Sequence, residues 1–95
     1  MKQHLYKITV EHLRDANGEP VVDAAPLVFE ARNHDDIQAV VEKVSAKQHF
    51  DEQTSVAFAV GLKLFSEVML ENRKSALFAE FAPHFGEFMK KLKKS

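Results

Sequence analysis

HLYKITVEHLRDANGEPVVDAAPLVFEA, residues 4–31, is the stretch whose reading decides the fold. From His4 to Leu13 the side chains alternate, with Tyr6, Ile8 and Val10 on one side and Lys7, Thr9 and Glu11 on the other. That is the period of a half-buried strand. Asn17-Gly18 follows, a pair favoured in two-residue hairpin turns because both central positions need positive φ. A second strand is then expected over Val21 to Ala31. Centring the turn on Asn17 and Gly18 pairs residues whose numbers sum to 35, so Tyr6 faces Phe29, Ile8 faces Leu27 and Val10 faces Ala25. All six share one face, as agreement between turn chemistry and hydrophobic pattern requires. In this register Pro20 and Pro26 lack an N–H only where it would point outward, which blocks the outer edge of strand 2. The outer edge of strand 1 carries no such block.

The rest of the chain reads as helix. Asn33 is the expected N-cap of a first helix, with Asp35 and Asp36 in its first turn and Ile37, Val40, Val41 and Val44 along one stripe to about Lys47. Asp51 caps a second helix that runs to about Asn72 and is apolar on most sides, so it belongs in the middle. Gly61 inside that helix costs about 1 kcal/mol relative to alanine, which suggests that another backbone approaches closely there. A short turn over Ala76 to Phe81 precedes Pro83, placed at the first position of a last helix. Phe78, Phe81, Phe85, Phe88, Met89 and Leu92 recur at helical spacing and read as a core stripe. Two strands cannot stand alone in water, so the helices must cover their apolar face. The expected class is α+β: an N-terminal antiparallel β-hairpin packed on three to four C-terminal helices, ββααα, with residues 1–95 as a single domain.

Composition bounds the chemistry. With 45% hydrophobic and 28% charged residues the 95-residue chain is globular in character. Area scaling for a folded chain of 10.8 kDa predicts roughly 5,500 Å² of accessible surface, a thin core that leaves room for a dimer interface to add stability. There is no cysteine, which removes disulfides, thiolate metal sites and thiol nucleophiles. Met1 to Val10 lacks the apolar centre of a signal peptide and no apolar run approaches a spanning length, so the expected location is cytoplasmic. The net charge of −1 offers no overall field for nucleic acid or an anionic membrane.

Several stretches, Lys2-Gln3-His4-Leu5-Tyr6-Lys7-Ile8-Thr9-Val10, Arg32-Asn33-His34-Asp35-Asp36, Ala57-Phe58-Ala59-Val60-Gly61-Leu62-Lys63-Leu64-Phe65 and Pro83-His84-Phe85-Gly86-Glu87-Phe88-Met89, resemble a family of short bacterial proteins classed as a domain of unknown function. The resemblance spans nearly the whole chain. It implies a bacterial, cytoplasmic, single-domain protein and brings no activity, ligand or functional residue with it.

Candidate sites are few. Of the five histidines, His4 and His12 share a strand face about 27 Å apart, and His34, His49 and His84 form no metal-ligand spacing, so no metal or cofactor is expected. Asp35-Asp36 and Asp51-Glu52 lie at helix starts, where capping accounts for them, and no Gly-rich phosphate loop is present, so the chain is not expected to be an enzyme. Two surfaces remain. The open edge of strand 1, with Leu5, Lys7, Thr9 and Glu11, offers backbone for pairing with a second copy in the order 2-1-1′-2′ or with an extended peptide. Lys90, Lys91, Lys93 and Lys94 form a basic patch whose plain reading is a solvated helix C-terminus and whose alternative is a weak nucleic-acid contact. The leading expectation is a non-enzymatic interaction or regulatory module, a homodimer or a partner of another cytosolic protein. A nucleic-acid binder and a small-molecule enzyme follow in that order.

Overall fold

A computed structural model describes residues 2–95. The order is β1 (His4–Val10), β2 (Leu27–Asn33), α1 (Ile37–Ala46), α2 (Glu52–Glu71), α3 (Ala76–Ala79) and α4 (Phe81–Lys94), with the two strands antiparallel. The α+β class expected of the sequence is the one found: strands first, helices after.

The hairpin differs in detail. Gly18 has φ +83, whereas Asn17 keeps an ordinary negative φ. Gly18 N donates to the Asp15 carbonyl at 3.0 Å, and Asp15 N to that of Glu19 at 2.8 Å. This is a three-residue loop, a type I turn closed by a left-handed glycine, rather than the two-residue turn expected. Asp15 drives the choice, because its Oδ1 accepts from Asn17 N at 2.9 Å and Glu19 N at 3.0 Å and holds the turn in that geometry. Arg14 then pairs with Pro20, flanked by Val21 N donating to the Leu13 carbonyl at 3.0 Å. The missing N–H of Pro20 therefore falls at an outward position.

Beyond Leu13 and Val21 the ladder is interrupted. Strand pairing resumes as Val10 with Leu27, Ile8 with Phe29 and Tyr6 with Ala31, pairs whose numbers sum to 37 rather than 35. Extra residues on the second arm are absorbed over 22–26, where Asp23 takes φ 65. The expected strands are thus too long at their turn ends, and the expected register is off by two. A shift of two preserves the face of every side chain, so Tyr6, Ile8, Val10, Leu27 and Phe29 still share one side and Ala31 replaces Ala25 among them. Pro26 lies just outside β2 and does not block its edge.

Helix α1 starts three residues later than expected. Asp36 is the N-cap, its Oδ1 accepting from Ala39 N at 3.2 Å. Asn33 instead ends β2, 1% exposed, and fastens it: Nδ2 donates to the Lys63 carbonyl of α2 at 2.9 Å, and Oδ1 accepts from Asp35 N at 3.0 Å. The first helical N–H, that of Ile37, is taken up by the Tyr6 hydroxyl at 2.8 Å, which ties β1 to the start of α1. Asp51 caps α2 as expected, accepting from Thr54 N at 2.8 Å.

The core sits between α1 and α2, where Ile37, Val44, Ala59 and Ser55 are buried. Helix α4 has no buried residue and reaches α2 through aromatic edges. Phe65 meets Phe78, Phe81 and Phe85 with ring centroids 5.9–6.1 Å apart, and Phe58 meets Phe50 at 5.5 Å and Phe88 at 6.2 Å. Pro83 occupies the third position of α4, still within the first turn, where its absent N–H breaks no helical bond. The expected stripe of phenylalanines does pack inward, but only Phe78 becomes buried.

Candidate interaction surface

The accessible surface is 7722 Å², about 2,200 Å² above the roughly 5,500 Å² that a folded monomer of this mass exposes. The radius of gyration, 15.8 Å, likewise exceeds the roughly 12.4 Å of a compact 95-residue domain. Both excesses have one cause: a two-stranded ribbon and a four-helix tail give each other only partial cover. Leu27 is 63% exposed and Phe29 40%, because β2 meets α2 at its Asn33 end and overhangs it at the other.

Helix α2 also contributes to the open surface, through Val56, Phe65, Val68 and Leu70. Its inward side carries Ser55, Ala59 and Glu67, all buried. On the side opposite Ala59, 3.6-residue periodicity places Ala57, Gly61, Leu64 and Val68, with Thr54 and Phe65 at the margin. Ala57 and Gly61 are exposed, Val68 is 53% and Phe65 42% exposed, and Leu64 is half-buried. Between Thr54 and Val68 no charged residue lies on that side, and Glu71 joins its margin at the end of the helix. A Cβ built on Gly61 meets nothing within 4 Å, so the close backbone approach expected there is not made by this chain.

The charged residues inside α2 are held elsewhere. Lys63 Nζ lies 2.5 Å from Asp35 Oδ2, and its hydrogen bond, outweighing the opposing effect of burial, holds the Asp35 carboxyl below its ordinary value, with the charges of Lys63, His34 and His4 adding to the lowering. Glu67, 8% exposed at its side chain, accepts from the His34 ring at 2.6 Å, from His34 N at 3.3 Å and from Gln3 Nε2 at 2.9 Å. A hydrogen-bonded His–Glu pair is one half of an acid–base constellation. Here every Glu67 contact fastens a segment, the chain before β1 and the β2–α1 connection, onto α2. The sequence reading missed this strut. Its signal was legible as Lys63 and Glu67, four residues apart on an otherwise apolar helix, whose partners had to come from another element.

Of the residues singled out from the sequence, Leu5, Lys7 and Thr9 lie on β1 and are exposed, and β1 has β2 as its one neighbour in the sheet. Glu11 lies past the end of β1 and is not part of that edge. Because Pro26 is outside β2, the strand 2 edge is not blocked along its paired length, and strand 1 loses its special status. Lys90, Lys91, Lys93 and Lys94 are exposed at the end of α4. A fifth lysine joins them: Lys47 Nζ donates to the Ser95 carbonyl at 2.7 Å, while His49 Nε2 lies 2.7 Å from Ser95 Oγ. Beside this tether a shallow cleft of about 390 Å³ is lined by Phe50, Phe58, Phe88 and Leu92. A second, of about 610 Å³, opens at the other end of the aromatic contact beside Met69, Leu70, Phe78 and Phe85. Among the described residues no group of three or more His, Asp or Glu side chains is placed to hold a metal ion, and no helix is long and apolar enough to cross a membrane.

Comparison with known proteins adds fold and family. A crystal structure of a protein of unknown function from Pectobacterium atrosepticum matches with a TM-score of 0.83 and 40% sequence identity, over 99% of this chain and 100% of that one. No curated protein matches. The model of a domain of unknown function with solved structure, DUF3861, matches residues 4–94. By that match over nearly its whole length, the chain belongs to the DUF3861 family.

Proposed function

We propose that this protein is a non-enzymatic protein–protein interaction module whose working form is a homodimer. The observation that carries the reading is the surplus of about 2,200 Å² of accessible surface over a monomer of equal mass. Obligate homodimers bury roughly 1,000–2,500 Å² per protomer, the same range. The apolar share is the physical reason: Leu27, Phe29, Phe65 and Val68 stand open to water, and covering them gains about 25 cal/mol per Å². Pairing along the β1 edge at Leu5, Lys7 and Thr9 is compatible with the sheet order. By itself it satisfies backbone groups and leaves the apolar side chains in water, so it supplements the interface rather than making it.

Light scattering at several concentrations, in low salt and in 0.5 M salt, tests the reading. A mass of twice 10.8 kDa that survives salt supports it. A monomer at every concentration overturns it. Salt-sensitive retention of nucleic acid by a monomer would favour the lysine patch instead.

A further inference from the structure

We propose that the uncharged side of α2 is the seam of the homodimer, with α2 of a second copy lying antiparallel across it and the two-fold axis at Gly61. The inference rests on the homodimer reading above and names its contact surface.

Three observations converge on this helix face. First, from Thr54 to Val68 the outward side carries no charge, in a chain that is 28% charged, while Lys63 and Glu67 are turned inward and held by Asp35 and His34. An outward helix face of a monomer is normally its charged face. Second, Gly61 breaks helix propensity at the middle of the longest helix with no turn, positive φ or internal neighbour to explain it. A helix from another molecule supplies the missing reason, since a glycine lets two backbones approach. Third, the face is self-complementary. An antiparallel pair about Gly61 brings together residues whose numbers sum to 122, so Gly61 meets Gly61, Thr54 meets the second copy's Val68, the small Ala57 meets the exposed part of its large Phe65, whose remainder packs on α3 and α4, and Leu64 meets its Phe58 at the rim. An isologous interface needs this match of large to small on one patch.

The surface surplus favours a second copy over a short peptide. A peptide laid along one helix face would leave most of that surplus uncovered, whereas a whole protomer matches it in area. The chain's net charge of −1 offers little long-range repulsion to self-association.

Two variants test the seam. The chain has no cysteine, so Gly61→Cys introduces a single thiol. Helices packed about 8–10 Å apart bring facing Cα atoms to roughly 3.5–5.5 Å, which overlaps the disulfide range. Under mild oxidation Gly61→Cys is expected to form a covalent dimer far faster than Glu30→Cys, placed on the sheet away from α2. Gly61→Glu puts two like charges on the axis and is expected to weaken the dimer by about a hundredfold or more. Its circular dichroism should remain that of the wild type, because the added side chain meets nothing within the chain. If the wild type is a dimer but Gly61→Cys cross-links no faster than the control and Gly61→Glu stays dimeric, the seam is overturned and the homodimer stands. A monomeric wild type overturns both.

Discussion

Replacing Asn33 by alanine removes the one side chain that joins the end of β2, the β2–α1 connection and α2. Asn33 is 1% exposed and makes two hydrogen bonds, Nδ2 to the Lys63 carbonyl at 2.9 Å and Oδ1 from Asp35 N at 3.0 Å. In Asn33→Ala the Lys63 carbonyl keeps its place in the α2 ladder, so the larger cost falls on the Asp35 N–H. An abandoned donor costs about 1–3 kcal/mol, and one at the partly open start of a connection sits in the lower half of that range. With the lost packing of the side chain, the expected destabilisation is about 2 kcal/mol. For a domain of this size that lowers the melting temperature by roughly 8–16 °C. Urea unfolding followed by circular dichroism, at one fixed protein concentration, should show a lower midpoint with an unchanged slope. A loss below about 0.5 kcal/mol would refute the claim that Asn33 fastens the ribbon to α2.

Three further outcomes follow from particular contacts. Tyr6→Phe should cost about 1–2 kcal/mol in the same assay, because the Ile37 N–H loses its 2.8 Å acceptor at the start of α1; wild-type stability would mean that water replaces the hydroxyl without loss. Gly18→Val should cost about 1–2 kcal/mol and Gly18→Asn clearly less, since Gly18 has φ +83 with open space around its Cα and the penalty is backbone strain alone; equal losses would locate the cost elsewhere. Asp35 and Asp51 are both held below the ordinary carboxylate value, the first by its hydrogen bond from Lys63 and the second by hydrogen bonds from Thr54. The unfolded chain therefore takes up protons first, so their contribution is fully present above about pH 4 and is lost as pH falls through the folded values. The double variant Asp35→Asn, Asp51→Asn should show a shallower acid-side decline than the wild type, and an equal decline would show that other carboxylates carry it.

Much of this architecture is legible residue by residue. Alternation at Tyr6, Ile8 and Val10 decides a strand and its inward face, Asp51 decides where α2 begins, and the apolar length up to Asn72 decides that α2 is the central helix. These are local properties, fixed by periodicity and by side chains that satisfy backbone groups two or three residues away. What differs involves either competing local bonds or partners distant along the chain. Asn17-Gly18 marks the turn, but Asp15 selects the three-residue loop, and the irregular residues 22–26 set the register two steps on. Asn33 has the chemistry of a cap and is used instead as a rivet, because the Lys63 carbonyl thirty residues later is where its amide finds a partner.

Sequence alone therefore determined the order of elements, the start of α2 at its Asp51 cap and which side chains share a face. Tertiary structure decided which of those faces are covered. The pattern of α2 marks it apolar on most sides, which reads as burial by this chain's own elements; only the packed helices show that one of those sides is left largely uncovered and that Gly61 looks into open space. The physical reason is that periodicity records how much apolar surface a segment must hide, while what hides it depends on the shape of everything else, a second molecule included.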